Sequence, residues 1–368
     1  MSQFIQRRLV PCLFHVAQYV NRKTAWLGFL KNRLGLAKLA SRLLSVQGND
    51  ITHILQDVRT DFIKSKVNEL EKEGVDSPNF YVLCAESMGD VVASEPIARY
   101  LKHLAPQSRV HWVVREDFKE VVEFNPFIDE TIAVSTLAEG YAMAESLCRH
   151  RGNILVNCHM DATCCGKTKQ IIHNPANPQI NVLTFHKMGS LLASFSLAAG
   201  LPPLDDEPRF HFQSSLKLPV GLTTGYVAIH CHSSTSQKDW QEEKWEELVS
   251  WLTGRGIQVV EIGMPKCVVT NNSFYVDRTG KRNLQEIAWI IRNAGLFIGV
   301  DSGFAHVANA VRVPSIILLG ASGGNERLDI YSGDFAHSRY FVKLWAPAGG
   351  AVADIGCDKV KTVVEDLM

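Results

Sequence analysis

Several features are missing from this sequence, and each absence removes a class of function. No apolar run near the start is long enough to span a membrane. The longest uncharged stretch there, Leu9–Asn21, falls short of the roughly 20 apolar residues a spanning helix needs. Arg7-Arg8 ahead of Leu9–Val20 has the outline of a signal peptide, but His15 and Gln18 interrupt the run and no small-x-small cleavage site follows. There is no regular cysteine spacing. Nine cysteines, an odd number, do not make a disulfide framework, and a cytoplasmic chain is expected. There is no C-x-x-C pair. The cluster Cys158-His159-x-Asp161-x-x-Cys164-Cys165 has metal-binding residue types, yet adjacent cysteines are awkward ligands, and structural thiols near a loop are the favoured reading. No G-x-G-x-x-G follows a strand, so a dinucleotide oxidoreductase lacks support. Gly166-Lys167-Thr168 ends like a phosphate-binding P-loop, but the position that needs an earlier glycine holds Asp161. No D-x-D-like pair stands after a strand to hold a divalent metal. Neither sign of charge is in excess, with 38 Lys plus Arg against 38 Asp plus Glu, and no nucleic-acid partner is expected.

One absence is local. Residues 1–49 contain no acid and eight bases, from Arg7 to Arg42, interleaved with Leu27, Leu30, Leu34 and Leu43. This is the pattern of a basic amphipathic helix suited to an anionic membrane surface, which would make the chain peripheral at the inner membrane face. It is equally the pattern of a solvated helical extension packed on the main body.

What is present is ample material for two domains: 368 residues, 46% hydrophobic and 21% charged. Three blocks are expected: a helical extension over 1–78, an α/β domain over 79–218 and a second α/β domain over 219–368. In the first α/β block the strands expected are Phe80–Ala85, Val110–Val114, Thr131–Val134, Ile154–Asn157 and Val182–Phe185, with a helix over Asp90–Leu104. Residues 213–225 read as a linker. The second block reads as strands Tyr226–His230, Ile257–Ile262, Phe274–Val276, Leu296–Val300 and Ser315–Leu319. Its helices are Glu242–Thr253, Leu284–Ala294 and one running to about Val311. Two doubly wound domains leave a ligand cleft between the carboxyl ends of their strands.

Three segments at strand ends carry chemistry. In the first, the strand Leu296–Val300 runs into Asp301-Ser302-Gly303-Phe304-Ala305-His306. Such a turn opens a helix, so free backbone N–H groups and the positive dipole end can bind phosphate. Gly303 permits close backbone approach, Ser302 adds a hydroxyl, and His306 lies one turn on. The competing reading is a capped helix with a buried packing histidine. In the second, His230 is followed by hydroxyls (Ser233, Ser234, Thr235, Ser236) and then by Lys238. These could hold a diphosphate, or form a polar loop anchored by Trp240 and Trp245. In the third, Ala85-Glu86-Ser87-Met88-Gly89-Asp90 follows the first strand. Asp90 at a helix start could take a proton from an acceptor hydroxyl, or simply cap the helix.

Together these segments resemble glycosyltransferase family 9, the ADP-heptose:lipopolysaccharide heptosyltransferase group. Four stretches over roughly residues 80–365 carry the resemblance: Ser87-Met88-Gly89-Asp90-Val91-Val92 with Pro96; His230 through Lys238-Asp239-Trp240 to Trp245; Thr279-Gly280-Lys281 with Leu284; and Asp301-Ser302-Gly303-x-x-His306 with Pro314 and Gly320. The resemblance implies an α/β GT-B fold and inverting, metal-independent transfer from a nucleotide-diphospho-heptose donor such as ADP-heptose. No cofactor or metal is implied. A glycan or lipid-linked acceptor is expected, with a lipopolysaccharide core sugar, another glycan and a protein hydroxyl all open. Asp90 matches the family's catalytic base and Lys238 its donor-phosphate lysine. Ser234 and Thr235 match the hydroxyls before that lysine. Asp301, Ser302, Gly303 and His306 match the donor-binding turn. Two departures stand out. Ser302 replaces the usual threonine and keeps its hydroxyl. Gly320-Ala321-Ser322-Gly323-Gly324 replaces the usual Gly-Pro-Thr loop, which leaves the donor open. Two alternatives remain: a nucleotide-sugar epimerase, which would turn over donor without acceptor, and a non-catalytic nucleotide-sugar-binding or assembly protein, which need not keep Asp90, Lys238 and His306 together.

Overall fold

The computed structural model describes residues 58–280, 283–320, 328–347 and 349–368. The basic segment 1–49, Lys281 and the loop 321–324 lie outside the described residues.

The chain first forms helix α1 (Phe62–Lys72), whose Ile63 and Val67 are buried. Strand β1 (Asn79–Leu83) follows. The single helix expected over Asp90–Leu104 is two, α2 (Met88–Ala93) and α3 (Pro96–Leu104). Pro96 causes the break, since it has no N–H to give to a preceding turn and suits a first helical position. Strands β2 (Arg109–Arg115) and β3 (Glu130–Val134) are followed by helix α4 (Leu137–Leu147) and strand β4 (Asn153–Asn157). A short antiparallel hairpin joins β5 (Thr163–Cys164) to β6 (Ile171–Ile172). The strand expected at Val182–Phe185 does not form. The Asn181 side chain accepts from Leu183 N–H at 2.9 Å and Thr184 Oγ1 accepts from Asn181 N–H at 3.1 Å. These local bonds close turns in place of sheet pairing. Helix α5 (Leu191–Ala198) is buried along nearly its whole length.

The second half runs β7 (Val227–His230), α6 (Glu242–Thr253), β8 (Val259–Gly263), β9 (Tyr275–Thr279), α7 (Leu284–Arg292), β10 (Leu296–Val300), α8 (Gly303–Ala310), β11 (Ser315–Leu319), β12 (Phe341–Trp345) and α9 (Cys357–Leu367). Every residue of β7, β8, β10 and β11 is buried, as expected of parallel strands covered on both faces.

Each half has its own parallel sheet. The first has strand order β3-β2-β1-β4 and the second β12-β11-β10-β7-β8-β9. In both sheets the order reverses beside the first strand, so switch points lie between β1 and β4 and between β7 and β10. Ligands of open α/β sheets bind outside the carboxyl ends at such points. This is the two-sheet α/β architecture of a GT-B fold.

Several cross-connections hold the halves together. The Glu120 carboxylate accepts from the N–H of Leu284 at 2.6 Å and from Asn283 Nδ2 at 2.9 Å, at the start of α7. The buried Gln285 side chain donates to Glu120 O and His211 O and accepts from Gln213 N–H.

Candidate functional site

The second switch point gathers the residues of the expected donor turn. Register pairs His230 of β7 with Gly299 of β10, so the loops after both strands leave the sheet side by side. Asp301 follows β10 directly. Its carboxylate accepts from Lys238 Nζ at 2.5 Å and from the Tyr331 hydroxyl at 3.0 Å. Burial opposes its ionisation, but Lys238, His306 and Tyr331 more than offset burial, and its pKa lies below the ordinary carboxylate value. The Lys238 side chain stays 40% exposed, so it can still meet a ligand from the solvent side.

Ser302 occupies the N-cap position of α8, yet its hydroxyl makes no capping bond. It lies 3.0 Å from His230 Nδ1 instead. Burial, and then the neighbouring His232, push the His230 pKa down to about 3, so its ring is neutral at physiological pH. The ring stands edge-on to Phe304 at 4.7 Å. Gly263, at φ +94°, leaves room for it, because a Cβ there would lie 2.4 Å from His230 Cδ2. His306 is buried against Tyr331, with ring centroids 4.7 Å apart, and burial lowers its pKa to about 4. Ser234 is exposed and Thr235 half-buried in the loop before Lys238. Trp240 and Trp245 are buried edge to face at 5.0 Å, so the anchoring tryptophans and the outward lysine coexist in one segment.

Asp90 approaches this turn from the other half. It lies in the first turn of α2, but Ser87 is the cap, accepting from Asp90 N–H. The Asp90 carboxylate is therefore not committed to capping. Burial raises its pKa from 3.8 to about 6; the Ser87 hydroxyl and Lys238 oppose the rise, and the charges of Glu86 and Asp301 add to it. A carboxylate that titrates near neutrality is suited to general-base work.

Two glycines allow the approach. A Cβ on Gly89 would lie 3.0 Å from His306 Cδ2 and 3.4 Å from Gly303 Cα. One on Gly303 would lie 2.4 Å from Met88 Cε and 3.2 Å from Gly89 N. The close approach at Gly303 is thus made by the Met88 side chain and the Gly89 backbone of the opposite half.

Tyr331 falls outside the strand-end motifs, and His230, Asp239 and Glu86 lie within them but carry no role there. Tyr331 lies thirty positions beyond Asp301, in irregular chain. His230 was legible as the polar end of an apolar strand, but its contact with Ser302 was not. Asp239 braces the loop before Lys238, accepting from Ser233 N–H at 2.6 Å and meeting His232 Nδ1 at 3.3 Å. Glu86 sits beside Asp90 and accepts from the Gly166 N–H at 2.8 Å, so the failed P-loop segment is a hairpin tip over the site. An open hollow lined by Met264, Pro265, Lys266, Thr279 and Gly280 lies at the ends of β8 and β9, in the same row. In the Cys158–Cys165 cluster, burial keeps His159 neutral with a pKa near 4, and its Nε2 accepts from Ala85 N–H at 2.9 Å. Among the described residues no group of three or more metal-ligating side chains converges.

Comparison with known proteins agrees with this architecture. Residues 195–327 match the family model for glycosyltransferase family 9 (heptosyltransferase). Lipopolysaccharide heptosyltransferase 1 of Escherichia coli strain K12 is 21% identical over 276 residues, covering 65% of this chain and 86% of that protein. A family 9 glycosyl transferase structure from Veillonella parvula superposes with a TM-score of 0.59 at 19% identity, covering 79% of this chain and 97% of its own. The E. coli heptosyltransferase WaaC with ADP-2-deoxy-2-fluoro heptose superposes with a TM-score of 0.54 at 18% identity, covering 79% of this chain and 100% of its own. The chain is heptosyltransferase-like in the manner of family 9, its fold is GT-B, and its enzyme class is glycosyltransferase.

Proposed function

We propose that this glycosyltransferase moves a heptose-type sugar from a nucleotide diphosphate donor, ADP-heptose, to a hydroxyl of a glycan or lipid-linked acceptor, in lipopolysaccharide or related cell-surface glycan synthesis. One observation carries the reading. The Gly89–Gly303 contact brings Asp90, with a pKa near 6, against the turn that holds Asp301 and Lys238. The likeness to heptosyltransferases supports the choice of sugar.

The reaction is a single displacement with inversion. The acceptor oxygen attacks the anomeric carbon while Asp90 takes its proton. The bond from that carbon to the diphosphate breaks on the opposite face. The departing charge meets Lys238 Nζ and the free N–H groups at the start of α8. Asp301 holds Lys238 at 2.5 Å before donor arrives, and an incoming diphosphate then shares the ammonium. His230, neutral, orients the Ser302 hydroxyl toward the same phosphates. General-base help of this kind is worth roughly 10²–10⁴-fold. No step calls on a metal ion.

The test is ADP release from ADP-heptose with a deeply truncated lipopolysaccharide as acceptor. Release should require acceptor, persist in excess chelator and yield a product of inverted anomeric configuration by NMR. Turnover of donor alone to an epimer, or no binding of ADP-heptose by calorimetry, would overturn the proposal. For residues 1–49, outside the described residues, the reading is contact with an anionic membrane surface. Co-sedimentation with anionic vesicles that survives neutralising those bases would refute it. Among the described residues no helix is long and apolar enough to cross a membrane.

A further inference from the structure

Tyr331 belongs to the site, yet the proposed reaction gives it no task. It is 1% exposed and stands in irregular chain between β11 and β12. Its backbone is tied on both sides. The Ile330 carbonyl accepts from Leu191 N–H at 3.0 Å, at the start of α5 in the first half. The Ser332 carbonyl accepts from Asn309 Nδ2 at 3.0 Å, on α8. The ring meets His306 at 4.7 Å and Phe341 at 5.1 Å. Backbone and ring are both fixed, so the hydroxyl has a set position.

That hydroxyl acts on one oxygen of one carboxylate. It donates to Asp301 Oδ1 at 3.0 Å, while Lys238 Nζ holds Oδ2 at 2.5 Å. Burial, and then the Asp301 charge, push the phenol well above its ordinary pKa, so it stays protonated and the bond has one sense. The torsion that turns an aspartate carboxylate is broad, so contacts rather than a rotamer well set its plane. With Oδ1 occupied by Tyr331, Lys238 meets one oxygen. An ammonium has three N–H donors. One points at Oδ2, and among the described residues Nζ makes no hydrogen bond to any other acceptor. The side chain is 40% exposed, so its other donors can meet a ligand from the solvent side. Without the tyrosine hydroxyl the carboxylate would turn to engage the ammonium with both oxygens.

We propose that Tyr331 is the positioning residue for Lys238: by holding Asp301 Oδ1 it confines the lysine to a one-oxygen pairing and leaves its other N–H groups to the donor diphosphate. The inference rests on the transferase reading above and deepens it. Tyr331 touches no reacting atom. It acts through Asp301, and the part of the substrates that senses it is the phosphate charge.

The experiment uses the full chain with ADP, adenosine, ADP-heptose and truncated lipopolysaccharide. Tyr331→Phe keeps the ring against His306 and Phe341 and removes the hydroxyl. ADP affinity by calorimetry should fall by roughly 5- to 20-fold, the scale of a lost hydrogen bond to a charged group less what closer Asp301–Lys238 pairing restores. For ADP-heptose kcat/KM should fall by at least that factor, because the departing diphosphate meets the same ammonium, while the acceptor KM stays within about twofold. Adenosine, which has no phosphate, should bind both proteins alike by saturation-transfer NMR. In an Asp301→Asn background the effect of Tyr331→Phe on ADP affinity should shrink below about twofold, since the carboxylate through which it acts is gone. Should Tyr331→Phe fail to fold, Asn309→Ala, which releases the Ser332 end of the segment, should give a smaller loss of the same kind that also vanishes with Asp301→Asn. A lower melting temperature with unchanged ADP affinity, equal weakening of adenosine, or losses that multiply with Asp301→Asn would show a structural role only and overturn the assignment. Those results, obtained with ADP bound and ADP-heptose turned over by the wild type, leave the transferase reading standing. Failure of the wild type to bind ADP or ADP-heptose at all would overturn both.

Discussion

Replacing Asp90 by Asn is expected to slow transfer sharply and to stabilise the protein, and the stabilisation should depend on pH in a defined way. Burial lifts the Asp90 carboxyl from 3.8 to about 6. Between these values the folded chain keeps a proton that the unfolded chain has lost. Stability therefore falls as pH rises through this window, and above about 6 the full cost of the buried charge is present. At 1.36 kcal/mol per pH unit the interval corresponds to roughly 3 kcal/mol, an upper figure that solvent contact reduces to about 1–2 kcal/mol. Asn has the same outline and no charge, so it removes the cost. Thermal unfolding should place the melting temperature of Asp90→Asn about 2–5 °C above wild type at pH 7.5, with the gap closing near pH 4. Transfer should fall by roughly 10²–10⁴-fold, and wild-type activity should rise with pH to a plateau, with an apparent pKa near 6. A variant that melts below wild type at pH 7.5, or whose advantage is the same at pH 4.5, would refute the argument that burial strains this carboxylate.

Other perturbations probe the contacts around it. Gly89→Ala would set a methyl 3.0 Å from the His306 ring, which Tyr331 holds in place. Transfer should drop by roughly 10- to 100-fold and ADP affinity should weaken with it, because the methyl presses on His306 and Gly303 of the expected donor turn; calorimetry and transfer assays that find both unchanged would contradict this. Gly356→Ala, where a Cβ meets nothing within 4 Å, is the control and should keep full activity. Lys238→Ala leaves the Asp301 carboxylate buried without its cation. ADP affinity should fall by at least about tenfold and the melting temperature should drop, and unchanged values of both would remove Lys238 from the site. Glu120→Ala deletes the acceptor for the first N–H groups of α7. A loss of about 1 kcal/mol, seen as a melting temperature about 2–4 °C lower, is expected, and an unchanged melting curve would show that this cross-connection contributes nothing.

The fold was legible where burial on both faces makes a strand uniformly apolar. Leu296–Val300, Ser315–Leu319 and the helix Glu242–Thr253 have the limits their patterns suggest. It was not legible where local chemistry competes with the pattern. Pro96 divides α2 from α3, and Asn181 and Thr184 turn Val182–Phe185 away from a sheet. The edge strand β12 is also obscured, because only Phe341 and Leu344 of its five residues are buried, and Lys343 interrupts the apolar run.

The order of residues by itself determined that Asp90, Lys238 and Asp301-Ser302-Gly303-x-x-His306 stand at the ends of strands, because an apolar run that stops at polar and glycine residues must turn there. Only the tertiary structure decided what those residues do to one another. It set Gly303 against Gly89, the Ser302 hydroxyl beside His230, Tyr331 onto Asp301, and Glu86 beneath a hairpin that no strand-end motif announces. The physical reason is that proximity across the cleft and the desolvation of a carboxylate depend on which surfaces pack together. A residue's neighbours in the chain say little about either, and for Asp90 both come from packing between the two sheets.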